Sequence, residues 1–382
     1  MPLKILINGI TLDNATITPL MTNIKYWQKH NCQISIIGNK ILKKKIIENN
    51  IVKIKSINYL NLDENTKIDS NLKLIIIGLK RNFKLIKSIK KFIKKYDIIH
   101  CRSSVLDLLI FPYILKIFDK KIKWTAVFDN IVPLNDPGNK IYRLLSWFFF
   151  KISVLLLHKA DIIFTISPDL KNYLIDHNFN SSKIVVTGNA IEIDLAKKSK
   201  SQKNKYDGLF IGRINETKGI FDMLEVVNQI KKEIPNFKLA VMGDGDISTK
   251  NKFKNKIKAL KLSKNIILLG TKNGLEKFSI IKSSKVFIFL SKSESESFGI
   301  ALLEAVSCGL PAFVYDLPAY KNIYQNNEVN VFKKGDINSV SKAIIKTFKN
   351  KQFENKNGKK LLGKYSWENI AKKEYQSFKS LI

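Results

Sequence analysis

Two groups of residues in the second half of the chain have the types and spacing to hold a charged, hydroxyl-rich ligand. In SKSESESFGIALLEAVSCGLP, Glu296 and Glu304 flank a Phe298-Gly299 pair that opens a helical pattern. With no side chain at Gly299, the backbone N–H groups of Ser297, Phe298, Gly299 and Ile300 can approach a phosphate or a sugar, and a helix N-terminus adds partial positive charge. Glu304 is the only charge in IALLEAVS. A carboxylate on so apolar a helix needs partners or water. A ribose diol, giving two O–H donors, suits it; so does solvent at the wet edge of a surface helix.

The second group is Gly212-Arg213 after the apolar run DGLFI, followed by Lys218-Gly219 at the start of a helix. Guanidinium, ammonium and free N–H groups together form a diphosphate clamp, although solvated charges on an ordinary strand-loop-helix turn have the same spacing. A third stretch, MGDGD at 242–246, contains an Asp-x-Asp pair of the kind that binds divalent metals. A Gly-Asp-Gly turn after a strand is also a common tight connection. Asp244 and Asp246 are therefore read as structural, and no metal is expected.

The elements that must position these residues follow an α/β rhythm. Apolar runs such as LKILING, QISIIGN, DIIHCRSS, KWTAVFD, DIIFTIS and KIVVTGN alternate with helical patterns in the first half, the pattern of β-α-β units in a parallel sheet. After a polar, non-periodic run, KKSKSQKNK, the alternation restarts with YDGLFIGR. Length agrees, since 382 residues suit two domains better than one. The expected architecture is two Rossmann-like domains, residues 1–192 and 207–365, joined by a linker at 193–206, with strand carboxyl ends facing a shared cleft. An amphipathic helix within 366–382 is expected to return to the first domain.

The run G-R-x-x-x-x-K-G at 212–219, the GDG turn, E-S-F-G-x-x-x-x-E at 296–304 and the following A-x-x-C-G-L-P occur in that order. In this the chain resembles the retaining glycosyltransferases of group 1, a two-Rossmann (GT-B) family that includes bacterial mannosyltransferases and sucrose synthase. The resemblance covers 207–382 and implies a nucleotide diphosphate sugar as substrate and no metal or other cofactor. It assigns Gly212, Arg213 and Lys218 to the diphosphate, Glu296 with the backbone of Ser297 to Ile300 to the donor sugar, and Glu304 to the ribose. It further implies front-face departure and attack, in which Arg213 and Lys218 stabilise charge on the leaving diphosphate and no side chain is a nucleophile.

The first domain departs from the pattern. The family's Gly-Gly loop after the first strand corresponds here to INGITLDNAT, which contains Gly9, and its His-Asp pair to VFDNIVP, where Phe128 replaces the His and Asp129 remains. Asp129 is thus a catalytic candidate, and Gly9, His100 and Arg102 are acceptor-side candidates.

Charge and composition bear on location and partners. The net charge is +34, and only Arg81, Arg102, Arg143 and Arg213 among the 66 basic residues are arginine. Such an excess has three sources: nucleic-acid binding, an anionic membrane surface, or a genome biased toward Lys codons. The aromatics sit on apolar faces instead of interleaving with basic residues, which argues against nucleic acid.

In KRNFKLIKSIKKFIKKYD, Phe83, Ile86, Ile89 and Ile93 share one helical face, and Lys80, Lys84, Lys87, Lys91 and Lys94 another. LLSWFFFKISVLLL at 144–157 is apolar all round except Lys151, too short to span a bilayer and rich in interfacial aromatics. Both read as membrane-facing, or as a solvated surface helix and a buried core helix.

Three widely spaced cysteines, Cys32, Cys101 and Cys308, and an amino terminus without a signal-peptide core point to a cytoplasmic protein, peripheral at the inner face of the membrane. The acceptor is then a glycan or a lipid-linked sugar, as in cell-surface polysaccharide or lipopolysaccharide assembly. The alternatives are a sugar-nucleotide epimerase or phosphorylase on the same plan, and a noncatalytic basic adaptor.

Overall fold

The computed structural model describes residues 1–9, 17–38, 43–44, 57–61, 71–134, 140–201, 205–293, 296, 298–324 and 327–382. The chain forms two compact units: the first ends at Gly188 and takes in Trp367–Ile382, and the second runs from Asn189 to Ser366.

In the first unit, β1 (Leu3–Asn8), β2 (Cys32–Gly38), β3 (Ile57–Asn61), β4 (Ile98–Cys101), β5 (Lys123–Phe128), β6 (Ile162–Thr165) and β7 (Ile184–Val186) form a seven-stranded sheet of order β3-β2-β1-β4-β5-β6-β7. All its pairings are parallel. Successive side chains of a strand point to opposite faces, and here both faces are covered. Leu6, Ile99 and Phe128 join a core with Phe111 and Leu157. Ile5, Ile7 and Ile98 join another with Trp27 and Phe378. Continuous Ile-rich runs are what a strand buried on both sides requires.

Phe378 lies on the helix Trp367–Lys379, which packs on the helix Ile17–Lys29. Trp27 Nε1 donates to Ala371 O at 3.1 Å, and Asn23 Nδ2 to Glu374 Oε2 at 2.6 Å. The core around Ile5, Ile7 and Ile98 is therefore completed by a segment more than 340 positions further along.

In the second unit, β8 (Tyr206–Ile211), β9 (Leu239–Met242), β10 (Ile266–Gly270), β11 (Ser284–Phe289), β12 (Ala312–Tyr315) and β13 (Asn330–Phe332) form a parallel sheet of order β10-β9-β8-β11-β12-β13. The expected linker differs from what forms. Ile193–Lys198 is helical and packs on the helix Gly274–Lys282, because Ala196 supplies an apolar contact the polar composition hides. Lys282 Nζ then donates to Ser199 O at 2.9 Å, and Ser201 Oγ to Lys282 O at 2.8 Å.

Candidate functional site

Strand order in the second sheet reverses between β8 and β11, and ligands of such folds bind outside the strand carboxyl ends at that point. Gly212 and Arg213 directly follow β8, and Glu296 to Ile300 follow β11. The backbone ties these loops together. Lys292 N–H donates to Thr217 O at 2.8 Å and Ser291 Oγ to the same oxygen at 3.3 Å. Ile214 N–H donates to Asp244 O at 2.9 Å, which adds the loop after β9. Across the two principal loops, Lys218 Nζ forms an ion pair with Glu296. Thus Lys218 and Glu296, 78 positions apart, meet at one end of the sheet.

Two glycines set the geometry. Gly219 has φ +70°, and a β-carbon there would lie 1.8 Å from Leu290 O, so the turn before the helix Ile220–Glu233 admits no side chain. Gly299, at φ +72°, starts the helix Ile300–Ser307 in the same left-handed conformation. Neither helix start has a side-chain cap, so the first N–H groups of each are available to an anion or a hydroxyl.

The remaining donor-side candidates fall around this framework. Arg213 is exposed and, among the described residues, has no ion pair or hydrogen bond. Phe298 is buried, its ring edge-on to Tyr365 at 5.6 Å. Ile300 is exposed, while Ser297 lies outside the described residues.

Glu304 is not on a wet edge. It is 5% exposed and takes Lys277 Nζ at 2.5 Å, and Lys277 also lies 3.8 Å from Glu192. Burial raises the Glu304 carboxyl above its ordinary value, and the Lys277 charge opposes that rise. Sequence reasoning missed Lys277 because its helix meets the helix of Glu304 only through the sheet order. It also missed Asp222, which takes Lys292 Nζ at 2.6 Å and the Tyr315 hydroxyl at 2.7 Å and so anchors the Glu296 loop.

The Asp-x-Asp pair has local partners. Asp246 caps the helix Ile247–Ala259 by accepting from Thr249 N–H at 2.8 Å, and Asp244 pairs with Lys250 at 2.8 Å. Among the described residues no cluster of three or more His, Cys, Asp or Glu forms a metal site. All three thiols are free, and burial pushes each up to about 12, so none supplies a thiolate nucleophile.

The first sheet reverses order between β1 and β4. Gly9 follows β1, and its N–H donates to Ile37 O at 3.1 Å; the rest of the loop, 10–16, lies outside the described residues. His100 is not available as an acceptor-side group. It is fully buried beside Trp27, Phe164 and Phe378, and its Nδ1 meets Thr125 Oγ1 at 2.9 Å. The alternation of the strand turns it into the core, and burial holds its pKa well below the ordinary value.

Arg102 is likewise engaged, bonded to the buried carboxylate of Glu374 at 3.1 Å, where it holds the returning helix. Asp129 fits a site better: half-buried after β5, it accepts from Ser103 Oγ at 3.0 Å and Ser104 Oγ at 3.2 Å. Burial raises its pKa, against those hydrogen bonds. The adjacent Phe128 stacks on Tyr173 inside the core, 5.9 Å between centroids.

Two surface helices complete the picture. In Lys140–Leu157, Phe150, Ser153, Val154 and Leu157 face the core. Ile141, Leu144, Leu145, Phe148 and Leu155, on the opposite face, are exposed by 42 to 71%. The basic stretch differs from expectation: its helix is Asn71–Lys87, and Arg81, Asn82 and Leu85 take the core side. Phe83 is consequently exposed, with Lys87 Nζ 4.5 Å above its ring, and Phe92 anchors the following turn. No helix among the described residues is long and apolar enough to cross a membrane.

Comparison with known proteins matches these two units separately. Residues 192–361 match the family Glycosyl transferases group 1, and 26–195 match Glycosyltransferase Family 4. An uncharacterised glycosyltransferase of Methanocaldococcus jannaschii is 29% identical over 279 residues, 68% of this chain and 64% of that relative, just under two thirds of its length. The UDP-Gal:alpha-D-GlcNAc-diphosphoundecaprenol alpha-1,3-galactosyltransferase of Escherichia coli is 27% identical over 309 residues, 73% of this chain and 75% of that protein. Among solved structures, Anabaena HepE in complex with UDP and glucose has a TM-score of 0.73 at 14% identity, covering 99% of this chain and all of that one.

Proposed function

The chain belongs to the group 1 glycosyltransferases, and from that premise we propose that it transfers a sugar from a nucleoside diphosphate donor to a glycan or lipid-linked acceptor with retention of configuration. The observation that carries this reading is the junction of Lys218 with Glu296 at the switch point of the second sheet, where the exposed Arg213 opens the loop after β8. HepE is recorded with UDP and glucose, and the Escherichia coli relative is named for a UDP-galactose donor and a diphosphoundecaprenol-linked acceptor. The first supports a nucleotide sugar donor, and the second supports a nucleotide sugar donor together with a lipid-linked acceptor.

In the proposed reaction the bond between the anomeric carbon and the diphosphate oxygen breaks, and its electron pair leaves with the diphosphate. The acceptor oxygen bonds to the anomeric carbon on the same face, and its proton passes to a diphosphate oxygen. Arg213, Lys218 and the two uncapped helix starts stabilise the departing charge, so this chain's own cations supply what a metal would otherwise provide. Glu296 holds the sugar, and Glu304, with Lys277 behind it, holds the ribose. Asp129, oriented by Ser103 and Ser104, belongs to the acceptor side.

The same proposal places the enzyme on the anionic inner face of the cytoplasmic membrane. The exposed apolar face of Lys140–Leu157 and the lysines around Phe83 support it, because buried apolar area and attraction to anionic headgroups add.

The test is incubation with labelled UDP-glucose, UDP-galactose, UDP-N-acetylglucosamine and GDP-mannose, with and without a bacterial lipid extract, in buffer containing EDTA. Label from one donor should pass into lipid-extractable product only when extract is present. An epimerised nucleotide sugar formed without acceptor, or a sugar phosphate formed with inorganic phosphate, would replace this reading with epimerase or phosphorylase.

A further inference from the structure

Two phenols beside the donor-side loop lack the partners that buried hydroxyls ordinarily have. Tyr320 and Tyr324 are 2% and 8% exposed, and among the described residues neither hydroxyl has a hydrogen-bond partner. Buried polar groups are nearly always satisfied, and leaving one unmade costs about 1 to 3 kcal/mol. Both belong to the turn after β12, the next strand beyond β11, with Tyr320 on the short helix Pro318–Lys321. Their rings meet edge-on at 6.0 Å. A β-carbon placed on Gly299 would lie 3.7 Å from the Tyr320 oxygen, so this hydroxyl lies against the uncapped start of the helix Ile300–Ser307.

We propose that Tyr320 and Tyr324 are donor-specificity residues whose hydroxyls donate hydrogen bonds to the transferred sugar beside Glu296. Burial first, and then the nearby Glu296 charge, holds Tyr320 well above the ordinary phenol range, and burial and Glu296 act on Tyr324 in the same direction. Both therefore remain O–H donors at any working pH. A ligand group that accepts from a phenol and donates to a carboxylate through one atom is a hydroxyl. A sugar hydroxyl does so, taking the phenolic hydrogen and giving its own to Glu296. This assignment rests on the proposed donor site and names the part of the donor that the phenols read.

The experiment compares Tyr320→Phe and Tyr324→Phe with the full wild-type chain, by calorimetric titration with UDP-glucose, UDP-galactose, UDP-N-acetylglucosamine and GDP-mannose, and with UDP and GDP alone. For the donor that binds the wild type, each variant should lose about tenfold in affinity, as for one buried hydrogen bond, while the matching diphosphate binds within about twofold. Melting temperature should hold or rise, because Phe removes an unsatisfied hydroxyl. Equal weakening of nucleotide sugar and diphosphate, or unchanged binding of both with a lower melting temperature, would overturn the assignment while leaving the donor site standing. Failure of every nucleotide sugar and diphosphate to bind the wild type would overturn the donor site and this assignment with it.

Discussion

Lys277 Nζ stands 2.5 Å from the carboxylate of Glu304, so the single charge on an otherwise apolar helix is balanced by the neighbouring helix and not by solvent. Removing one member of a buried pair is costly because the other charge is stranded. Lys277→Ala should lose about 3 kcal/mol of unfolding free energy at pH 8. Its folded-state Glu304 then has an even higher pKa, so the deficit shrinks as the pH falls and the carboxyl takes up a proton. Urea unfolding at pH 5 and pH 8 checks the sign, and an equal deficit at both would contradict it.

Arg213→Ala separates chemistry from stability. The side chain is exposed and makes no described contact, so melting should shift by under about 0.5 kcal/mol in stability. With the Arg213 guanidinium meeting the leaving diphosphate as proposed, its loss should reduce kcat about 10²-fold. Steady-state kinetics with the accepted donor decide it, and normal turnover would remove Arg213 from the clamp.

Gly219→Ala probes the loop junction itself. The new methyl would have to displace Leu290 O and hold a positive φ, at a cost of at least about 2 kcal/mol. Since that carbonyl precedes the Glu296 loop, thermal stability and nucleotide affinity should fall together. A variant with unchanged melting would show that the two loops yield independently.

Asp129 gives a pH signature. Burial raises its carboxyl above the ordinary value. If the carboxylate form serves the acceptor, kcat/KM falls as the pH drops through that raised value, and Asp129→Asn flattens this limb at a level about 10²-fold lower. Stability moves the opposite way. The folded chain holds the proton more tightly than the unfolded one, so this contribution is full below pH about 4 and is lost as the pH rises through the raised value. Rate profiles and pH-dependent unfolding of both proteins test the two signs.

The exposed face of Lys140–Leu157 makes its own prediction. Replacing Ile141, Leu144, Leu145 and Phe148 together by Ser should weaken binding to phosphatidylglycerol vesicles at least about tenfold with little change in melting temperature, because these side chains lie on the exposed face, away from the buried cluster. Wild-type protein should also release in high salt. Sedimentation with vesicles measures both, and equal pelleting of wild type and variant would reject this face.

What could be read before folding was whatever local spacing determines. The two β-α-β series, the glycine at 299 and the charges at 213 and 218 follow from periodicity and turn chemistry within short windows. Contacts set by sheet order were not readable. Lys277 against Glu304, Arg102 against Glu374 and the Tyr320 hydroxyl near Gly299 join residues on different crossover elements. His100 misled because it closes a strand at the ligand end, yet the two-residue alternation of that strand turns it inward. Phe83 misled for a related reason, since a helix that ends at Lys87 has a different inner face from one that continues to Tyr96.

The helix Trp367–Lys379 ties the order of synthesis to the order of folding. Domains generally consolidate from the amino terminus as they leave the ribosome. Here Trp27, Asn23 and the neighbours of Phe378 wait for a segment translated after all of the second unit. The second unit can settle while its elder sibling is still unsealed, with Trp27 and Ile24 left for a chaperone to cover in the interval.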